Sequence, residues 1–292
     1  MIAHPFSRDF RWRPTTGPFR RVTAAQARAF DDDGCFVLED AFDPAAMAQV
    51  IAEIDPVEAR VEAFLQDRPD RKLFIARAGE ITFSTHLVLR SALLRAFCAS
   101  SLFAELGHDL VGPDVRLYWD QAVYKKPEAG RPDAGRRAPG SRDFPWHQDN
   151  GYTFVEPQQY LTCWVALTDA TPENGCPWVA PGLHRRGTLR HWMTDTGWRC
   201  LEDVPEAVPL PVRAGGIAVF SSLTPHRTGP NRTDAVRKAY IVQLAPEGAR
   251  IVQAGPDGAP VPGPAADDPQ RQYPILVGGA PVAPPPLGSV AA

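Results

Sequence analysis

Two histidines and one aspartate form the most informative pattern in this chain. His147 and Asp149 stand two positions apart, and His226 follows much later in the sequence. In a β-strand, residues i and i+2 point to the same face, so one strand can offer an imidazole and a carboxylate to a single ion. A third ligand from a distant strand gives two nitrogens and one oxygen on one face. Non-haem Fe(II) oxygenases use this arrangement, which leaves positions open for a cosubstrate and oxygen.

The surrounding segments strengthen this pattern, because a His-x-Asp tripeptide alone is also typical of a hydrogen-bonded histidine in a turn. Several further blocks follow in order: the apolar run 163–167, Glu173-Asn174-Gly175-Cys176, Pro181-Gly182-Leu183-His184, His226-Arg227-Thr228-Gly229-Pro230-Asn231, and Arg237. Together with Trp146-His147-Gln148-Asp149, these blocks resemble the phytanoyl-CoA dioxygenase family over about residues 34–246. One departure is Leu183, which replaces a small hydroxyl residue of the family pattern and is not a metal ligand.

The resemblance implies an Fe(II)- and 2-oxoglutarate-dependent dioxygenase. Fe(II) would be held by His147, Asp149 and His226, with 2-oxoglutarate and O2 at the open positions. We expect the hydroxylation of an aliphatic C–H bond of a small molecule, with release of succinate and CO2. The substrate would be a secondary metabolite, an amino-acid-like compound or an acyl compound.

The resemblance also assigns contacts to 2-oxoglutarate. Arg237 stands where the family places the arginine that binds the distal carboxylate, and arginine matches a carboxylate with two parallel hydrogen bonds. Thr228 would add a hydroxyl, and Gln121, Lys125 and Trp164 would line the cosubstrate pocket. Three alternatives stay open: Arg237 as a surface charge at a strand end, Lys126 in place of Lys125, and Trp164 as a core aromatic residue.

Candidates for contact with the primary substrate are more weakly indicated. They are Phe83, His86, Trp119, Asn150 and Tyr152. His184 is interpreted as a turn residue or a support behind the ligands, because a fourth protein ligand would block oxygen chemistry.

Three other functions compete with hydroxylation. A halogenase on this scaffold would replace the carboxylate ligand with a small residue, whereas Asp149 is present. A non-catalytic jelly-roll binding protein would be expected to lose one of His147, Asp149, His226 or Arg237. A metal-dependent cupin enzyme that does not use 2-oxoglutarate would have no need of Arg237 and Thr228.

Composition excludes some classes of partner. Hydrophobic residues make up 44% and charged residues 22% of the chain, and the formal net charge is −3, so no basic surplus indicates nucleic acid. The five cysteines form no Cys-x-x-Cys pair, which argues against a zinc site and favours buried thiols. No secretory signal or transmembrane run is evident. We therefore expect a cytoplasmic monomer or homodimer that acts on a small molecule and binds no membrane.

The chain divides into three parts. Residues 1–22 are expected to form an N-terminal arm, 23–254 a single oxygenase domain, and 255–292 a loosely held Pro- and Gly-rich tail that pairs or packs only at 273–277. Within the domain, the Gly-, Pro- and Arg-rich insert 127–143 precedes the first ligands and is interpreted as a lid.

Periodicity predicts a mainly β fold with flanking helices. Helices are expected at 24–32, 43–54, 57–66 and within 91–111, with Thr23 as the first N-cap and Val57, Val61 and Phe64 facing the core. Strands are expected at 115–119, 121–125, 160–167, 177–180, 216–220 and 239–244. A double-stranded β-helix, the jelly roll of cupin-like proteins, would bring such strands to one metal, and it is also the fold that the resemblance implies.

Overall fold

A computed structural model describes residues 1–128 and 143–287 of the chain. The helices are α1 (Ala24–Asp33), α2 (Pro44–Gln66), α3 (Ala92–Cys98) and α4 (Ser101–Leu110). The strands are β1 (Cys35–Leu38), β2 (Lys72–Leu73), β3 (Ala76–Arg77), β4 (Ile81–Thr85), β5 (Val115–Lys125), β6 (Phe144–His147), β7 (Val155–Glu156), β8 (Leu161–Ala166), β9 (Pro177–Val179), β10 (Trp192–Thr194), β11 (Gly197–Arg199), β12 (Val208–Pro209), β13 (Ile217–Ser221), β14 (His226–Thr228), β15 (Arg237–Pro246), β16 (Arg250–Ala254), β17 (Pro260–Ala265), β18 (Pro274–Val277) and β19 (Ala280–Pro281).

Two antiparallel sheets build the double-stranded β-helix, which confirms the predicted fold class. The larger sheet has the order β1-β13-β8-β15-β5-β4-β3-β2, and the smaller has the order β12-β9-β14-β6. One face of the larger sheet packs on the N-terminal helices through buried residues such as Leu117, Cys163 and Val242. The opposite face carries Trp164, Ala239 and Ile241 towards the smaller sheet. Because side chains alternate along a strand, the two faces separate a helix-covered core from the space between the sheets.

The first helix begins as the sequence predicts. The Thr23 hydroxyl oxygen accepts a hydrogen bond from the backbone N–H of Gln26, and Oε1 of Gln26 accepts one from the backbone N–H of Thr23. This reciprocal capping box satisfies two otherwise unpaired N–H groups at the helix start. The helix ends at Gly34, whose positive φ of 83° suits glycine.

The prediction of two helices at 43–54 and 57–66 was wrong, because α2 runs through Pro56 without a break. Pro56 and Ala52, whose carbonyl loses its helical partner, both face solvent, so water can satisfy that carbonyl. The expected core stripe was also wrong in part. Phe64 is 52% exposed, whereas Leu65 is buried.

The strands predicted at 115–119 and 121–125 form the single strand β5. Asp120 lies between them with its carboxylate on the helix side, where it accepts hydrogen bonds from the backbone of Leu87 and Val88. The polar residue Asp120 does not break the strand into two; its carboxylate holds the segment at Leu87 and Val88 against β5.

The prediction that the tail 255–292 pairs or packs only at 273–277 was wrong in part, because other residues of this segment also form strands. The strand β17 pairs with β16, and β18 pairs with β5, which places Ile275 and Leu276 in the helix-side core. The insert predicted as a lid lies almost wholly outside the described residues, and that interpretation stays a prediction. All five cysteines are buried and free. Across the described ranges, no helix has the length and apolar character needed to cross a membrane.

Candidate metal and cosubstrate site

Pairing within the smaller sheet brings the two histidines together. His226 at the start of β14 lies opposite His147 at the end of β6, and their ring centroids are 4.1 Å apart. The prediction that His147 and Asp149 lie on one strand was wrong, because the strand ends at His147. Asp149 begins a short 3-10 helix after Gln148, whose extended backbone still turns Asp149 towards the same side. The ligand atoms of the three residues lie within 4.8 Å of one another.

Each imidazole is oriented by a backbone carbonyl. The Nδ1 atom of His147 lies 2.8 Å from the oxygen of Pro145, and the Nδ1 atom of His226 lies 3.1 Å from the oxygen of Thr224. A carbonyl can only accept, so each Nδ1 carries a proton, and Nε2 is the ring atom that is left to bind a metal ion. Metal-binding histidines are commonly oriented in this way.

The Nε2 atoms converge on one oxygen of Asp149. Its Oδ1 atom lies 4.0 Å from His147 Nε2 and 3.8 Å from His226 Nε2. Burial, and then the neighbouring His226, lower the pKa of His147 well below its ordinary value. The imidazole is thus neutral at neutral pH, as a metal ligand must be. Among residues 1–128 and 143–287, this is the only cluster suited to a metal ion.

Gln148, between the two ligands, anchors the segment that carries them. Its amide nitrogen donates to the carbonyls of Gly187 and Leu223, and its Oε1 accepts from the backbone of Leu189. The backbone N–H of Gln148 donates to Nε2 of His191. Gln148 lies within the Trp146–Asp149 motif, but nothing in the spacing of the sequence indicates its distant backbone partners, so this role could not be predicted.

Arg237 is buried at the start of β15, so the alternative of a surface charge was wrong. It is 1% exposed, and its guanidinium carbon lies 5.1 Å from the centre of the Trp164 ring. One nitrogen donates to the carbonyl of Val123 at 3.3 Å, and Nε has no hydrogen-bond partner in the described part of the chain. Burial lowers the pKa of Arg237 to about 10. A buried cation with an unused donor suits a carboxylate ligand.

The two candidate lysines lie on opposite faces of the larger sheet. Lys125 is buried opposite Arg237 on the neighbouring strand, whereas Lys126 pairs with Glu58 on the other face. The amino group of Lys125 donates to Thr228 Oγ1 at 2.8 Å. Thr228 accepts that bond and keeps its own hydroxyl proton to donate. Lys125 also donates to the backbone carbonyls of Thr228 and Gly229, so it fixes the backbone just after His226, in addition to any contact with a cosubstrate.

The remaining predicted contacts lie around the same space. Phe83 packs on Phe144 at 5.7 Å, and Phe144 lies 4.8 Å from the ring of His147. The ring of Tyr152 is 5.3 Å from that of His147. Phe144 and Tyr152 therefore lie next to the ring of His147, and Phe83 packs behind Phe144.

A second group lies further along β5. Trp119 donates to Oε1 of Gln121, and His86 packs edge-on against Trp119 at 4.2 Å. The Nε2 atom of His86 faces Arg271 at 3.2 Å, so it is an acceptor. Burial and the positive charge of Arg271 lower the pKa of His86 to about 4.

Two residues support the fold instead of facing the site. Asn150 is fully buried, its amide nitrogen donates to Thr188, and its oxygen accepts from the backbone of Val155. This geometry argues against its predicted contact with a substrate. His184 lies in the short 3-10 helix Leu183–Arg186, packs against Trp12 and faces the carbonyl of Asp31, so it has a structural role outside the metal cluster.

Comparison with known proteins identifies the family. The family model for phytanoyl-CoA dioxygenase (PhyH) matches residues 30–239. The chain belongs to the phytanoyl-CoA dioxygenase family. It is 29% identical to phytanoyl-CoA dioxygenase domain-containing protein 1 of Mus musculus, in an alignment that covers 76% of this chain and 90% of the mouse protein. It is 33% identical to the methylphosphonate hydroxylase of Gimesia maris over 129 residues, 44% of this chain and 45% of that protein.

Solved structures support the fold. The epimerase SnoN, in complex with Fe3+, alpha ketoglutarate and a nogalamycin compound, matches with a TM-score of 0.59 at 21% identity. The match covers 82% of this chain and 95% of SnoN. With the family established, the predicted enzyme class is confirmed: a 2-oxoglutarate-dependent non-haem iron dioxygenase, with Fe(II), 2-oxoglutarate and O2 as cofactors.

Proposed function

We propose that this enzyme hydroxylates an aliphatic C–H bond of a small molecule and releases succinate and CO2. One observation carries the proposal. Two imidazoles and one carboxylate oxygen converge within 4.8 Å of one another, as a three-ligand iron site requires. Arg237 lies in the same space between the sheets, with an unused donor and no carboxylate partner among the described residues.

The described residues fit both Fe(II) and 2-oxoglutarate. His147, Asp149 and His226 would bind Fe(II) through three ligand atoms on one face of the ion. The other face would stay free for 2-oxoglutarate and O2. When bound, Fe(II) would let O2 act as the oxidant of a C–H bond, with 2-oxoglutarate as the co-reductant that is converted to succinate and CO2. Arg237 would bind the distal carboxylate of 2-oxoglutarate through two N–H groups, and Thr228 would donate its hydroxyl proton to the same carboxylate. We also assign Gln121, Lys125 and Trp164 to this cosubstrate pocket.

The primary substrate would bind against the aromatic side chains near the ligands. Phe83 and Tyr152 border the ligand His147 directly or through Phe144, and Trp119 and His86 lie further along β5. Aromatic walls exclude water and favour an apolar portion of a small molecule. This arrangement supports a substrate whose aliphatic part faces the metal.

The competing functions are each disfavoured by a residue that is present. Asp149 occupies the position that a halogenase would leave to chloride. Arg237 is buried with an unused donor, which a cupin enzyme without 2-oxoglutarate would not need. A binding protein would have no reason to orient both Nε2 atoms towards one carboxylate oxygen.

Succinate formation tests the proposal. The purified protein is loaded with Fe(II) without air, then given 2-oxoglutarate, air and a panel of aliphatic small molecules. We expect succinate release that rises with one class of compound, and a product heavier by one oxygen atom. His226→Ala is the matched control and should release none. Absence of succinate from the iron-loaded wild-type protein under all conditions would refute the 2-oxoglutarate chemistry. A product of unchanged mass, as from an epimerase, would refute hydroxylation alone.

Two further assignments accompany the function. We place the protein in the cytoplasm, which its five free buried thiols support because extracellular proteins tend to pair their cysteines. We expect a monomer or a homodimer, which sedimentation of the iron-loaded protein would distinguish.

A further inference from the structure

The two oxygens of the Asp149 carboxylate have different surroundings. Oδ1 faces the Nε2 atoms of both histidines, whereas Oδ2 lies 2.5 Å from the hydroxyl of Thr162. The Thr162 hydroxyl in turn lies 3.3 Å from the amide nitrogen of Gln243. We propose that Thr162, supported by Gln243, is a positioning residue that holds Asp149 as a metal ligand through Oδ1 alone.

One cross-strand row of the larger sheet places these side chains. Gln243 on β15 lies directly opposite Thr162 on β8, and Thr162 lies opposite Phe220 on β13. Residues opposite each other in antiparallel strands project to the same face, so all three side chains point at the smaller sheet. The ring of Phe220 packs 4.6 Å from that of His226. The same row therefore supports two of the three ligands from the opposite sheet.

The chemistry of the donors fixes the direction of the chain of hydrogen bonds. The amide nitrogen of Gln243 can only donate, so Thr162 Oγ1 accepts from it. The single proton of the hydroxyl is then directed to the acceptor-only carboxylate of Asp149. Thr162 is 1% exposed, so water does not compete for this proton. The bond to an ionised carboxylate is of the stronger, charge-assisted kind.

The hydrogen bond from Thr162 restricts the Asp149 carboxylate, and its role in metal binding rests on the proposed function. A carboxylate on a short side chain can rotate, and rotation would move Oδ1 away from the two Nε2 atoms. The Thr162 hydroxyl removes that freedom before metal arrives and keeps Oδ2 occupied. Supports of this kind around metal ligands change metal affinity by about 10- to 100-fold when they are removed.

Metal affinity, measured without turnover, tests the proposal. Metal-free protein is titrated with Mn(II) without 2-oxoglutarate or substrate, and free Mn(II) is followed by electron paramagnetic resonance. Thr162→Val keeps the shape of the side chain and removes the hydroxyl, and should weaken Mn(II) binding about 10- to 100-fold. Thr162→Ser restores the hydroxyl and should bind Mn(II) about as tightly as the wild type. Gln243→Met removes only the second donor and should weaken binding about two- to tenfold, the usual effect of a neutral hydrogen bond.

Thr82 supplies the matched control. It is buried on β4, and its hydroxyl donates to the carboxylate of Glu58 at 3.0 Å, on the helix side of the sheet. Thr82→Val therefore removes the same kind of bond away from the metal ligands. We expect it to lower thermal stability without changing Mn(II) affinity.

The Mn(II) titrations distinguish failure of the positioning role from failure of the metal site. Equal losses of Mn(II) affinity in Thr162→Val and Thr82→Val, or unchanged or tighter binding in Thr162→Val, would overturn the positioning role. If Thr162→Val does not fold, an unchanged affinity in Gln243→Met, together with a weakened Thr162→Ser, would overturn it as well. Failure of the wild-type protein to bind Mn(II) would instead count against the metal site, and so against the proposed function itself.

Discussion

Replacing Arg237 by lysine tests the cosubstrate assignment most directly. The guanidinium is enclosed between Trp164 and the carbonyl of Val123, and its Nε has no partner in the described residues. Burial lowers the pKa of Arg237 from 12.5 to about 10, which corresponds to roughly 3 kcal/mol against the buried charge. A bound dicarboxylate would supply the missing anion and relieve this penalty. Arg237→Lys keeps the charge but loses the planar pair of N–H donors.

The loss of one charge-assisted hydrogen bond sets the expected size of the effect. Such a bond contributes about 1.5–3 kcal/mol, which is about ten- to hundredfold in affinity. We therefore expect Arg237→Lys to raise the KM for 2-oxoglutarate by about ten- to hundredfold. Its Mn(II) affinity should stay close to that of the wild type, because Arg237 is not part of the metal cluster.

The assay follows succinate release against 2-oxoglutarate concentration, with Mn(II) titration in parallel. Arg232→Lys is the control, since Arg232 is an exposed arginine in the same region of the chain. Adding 2-oxoglutarate to the Mn(II) form should raise the Tm of the wild type and of Arg232→Lys, and raise it much less in Arg237→Lys. Equal 2-oxoglutarate dependence in the two variants would refute the assignment of Arg237.

The other predictions concern metal binding and stability. His147→Ala, Asp149→Ala and His226→Ala should each abolish Fe(II)-dependent succinate release while circular dichroism shows the fold retained; Asp149→Ala with near wild-type Fe(II) binding and turnover would show the ligand assignment to be wrong. Asp109 accepts hydrogen bonds from the backbone of Arg20, Arg21 and Val22, which with His108 hold its pKa below the ordinary value although burial opposes this. Asp109→Asn should therefore lower the free energy of unfolding by about 1–3 kcal/mol at neutral pH. Because the folded-state pKa is depressed, this contribution is present above the ordinary Asp pKa of about 3.9 and is lost as pH falls through the folded value, so urea titrations of the two proteins should converge in acid. Gly34→Ala would place a Cβ atom 2.5 Å from Thr224 Oγ1 at a φ of +83°, and should lower the free energy of unfolding by about 2–4 kcal/mol in urea titration.

The metal cluster could be predicted from the sequence because its residue types are distinctive and because the blocks around them resemble those of a known family. An imidazole, a carboxylate two positions on and a distant second imidazole are residue types that iron selects, whatever the strand boundaries are. The prediction survived an error in local structure, since Asp149 begins a 3-10 helix instead of continuing the strand of His147. The extended backbone of Gln148 still directs the Asp149 carboxylate to the same side as the His147 imidazole.

Helix boundaries were predictable only where a local signal marks them. Thr23 and Gln26 form a capping box within one turn, and the first helix begins there as expected. Pro56 is an equally local signal that misled the prediction. Its effect depends on whether water can reach the carbonyl of Ala52, which is a property of tertiary exposure.

The residues that support the ligands needed information that alternation alone does not carry. Counting in twos from Trp164 along β8 and from Arg237 along β15 places Thr162 and Gln243 on the metal side of the sheet. Alternation does not say that these two residues lie opposite each other, because a register shifted by two residues would keep both facing inward. The observed register, with Gln243 paired to Thr162 and to Trp119 on either side, joins them into one row. A sequence pattern thus selects which side chains face the iron, and strand pairing selects which of them can touch Asp149.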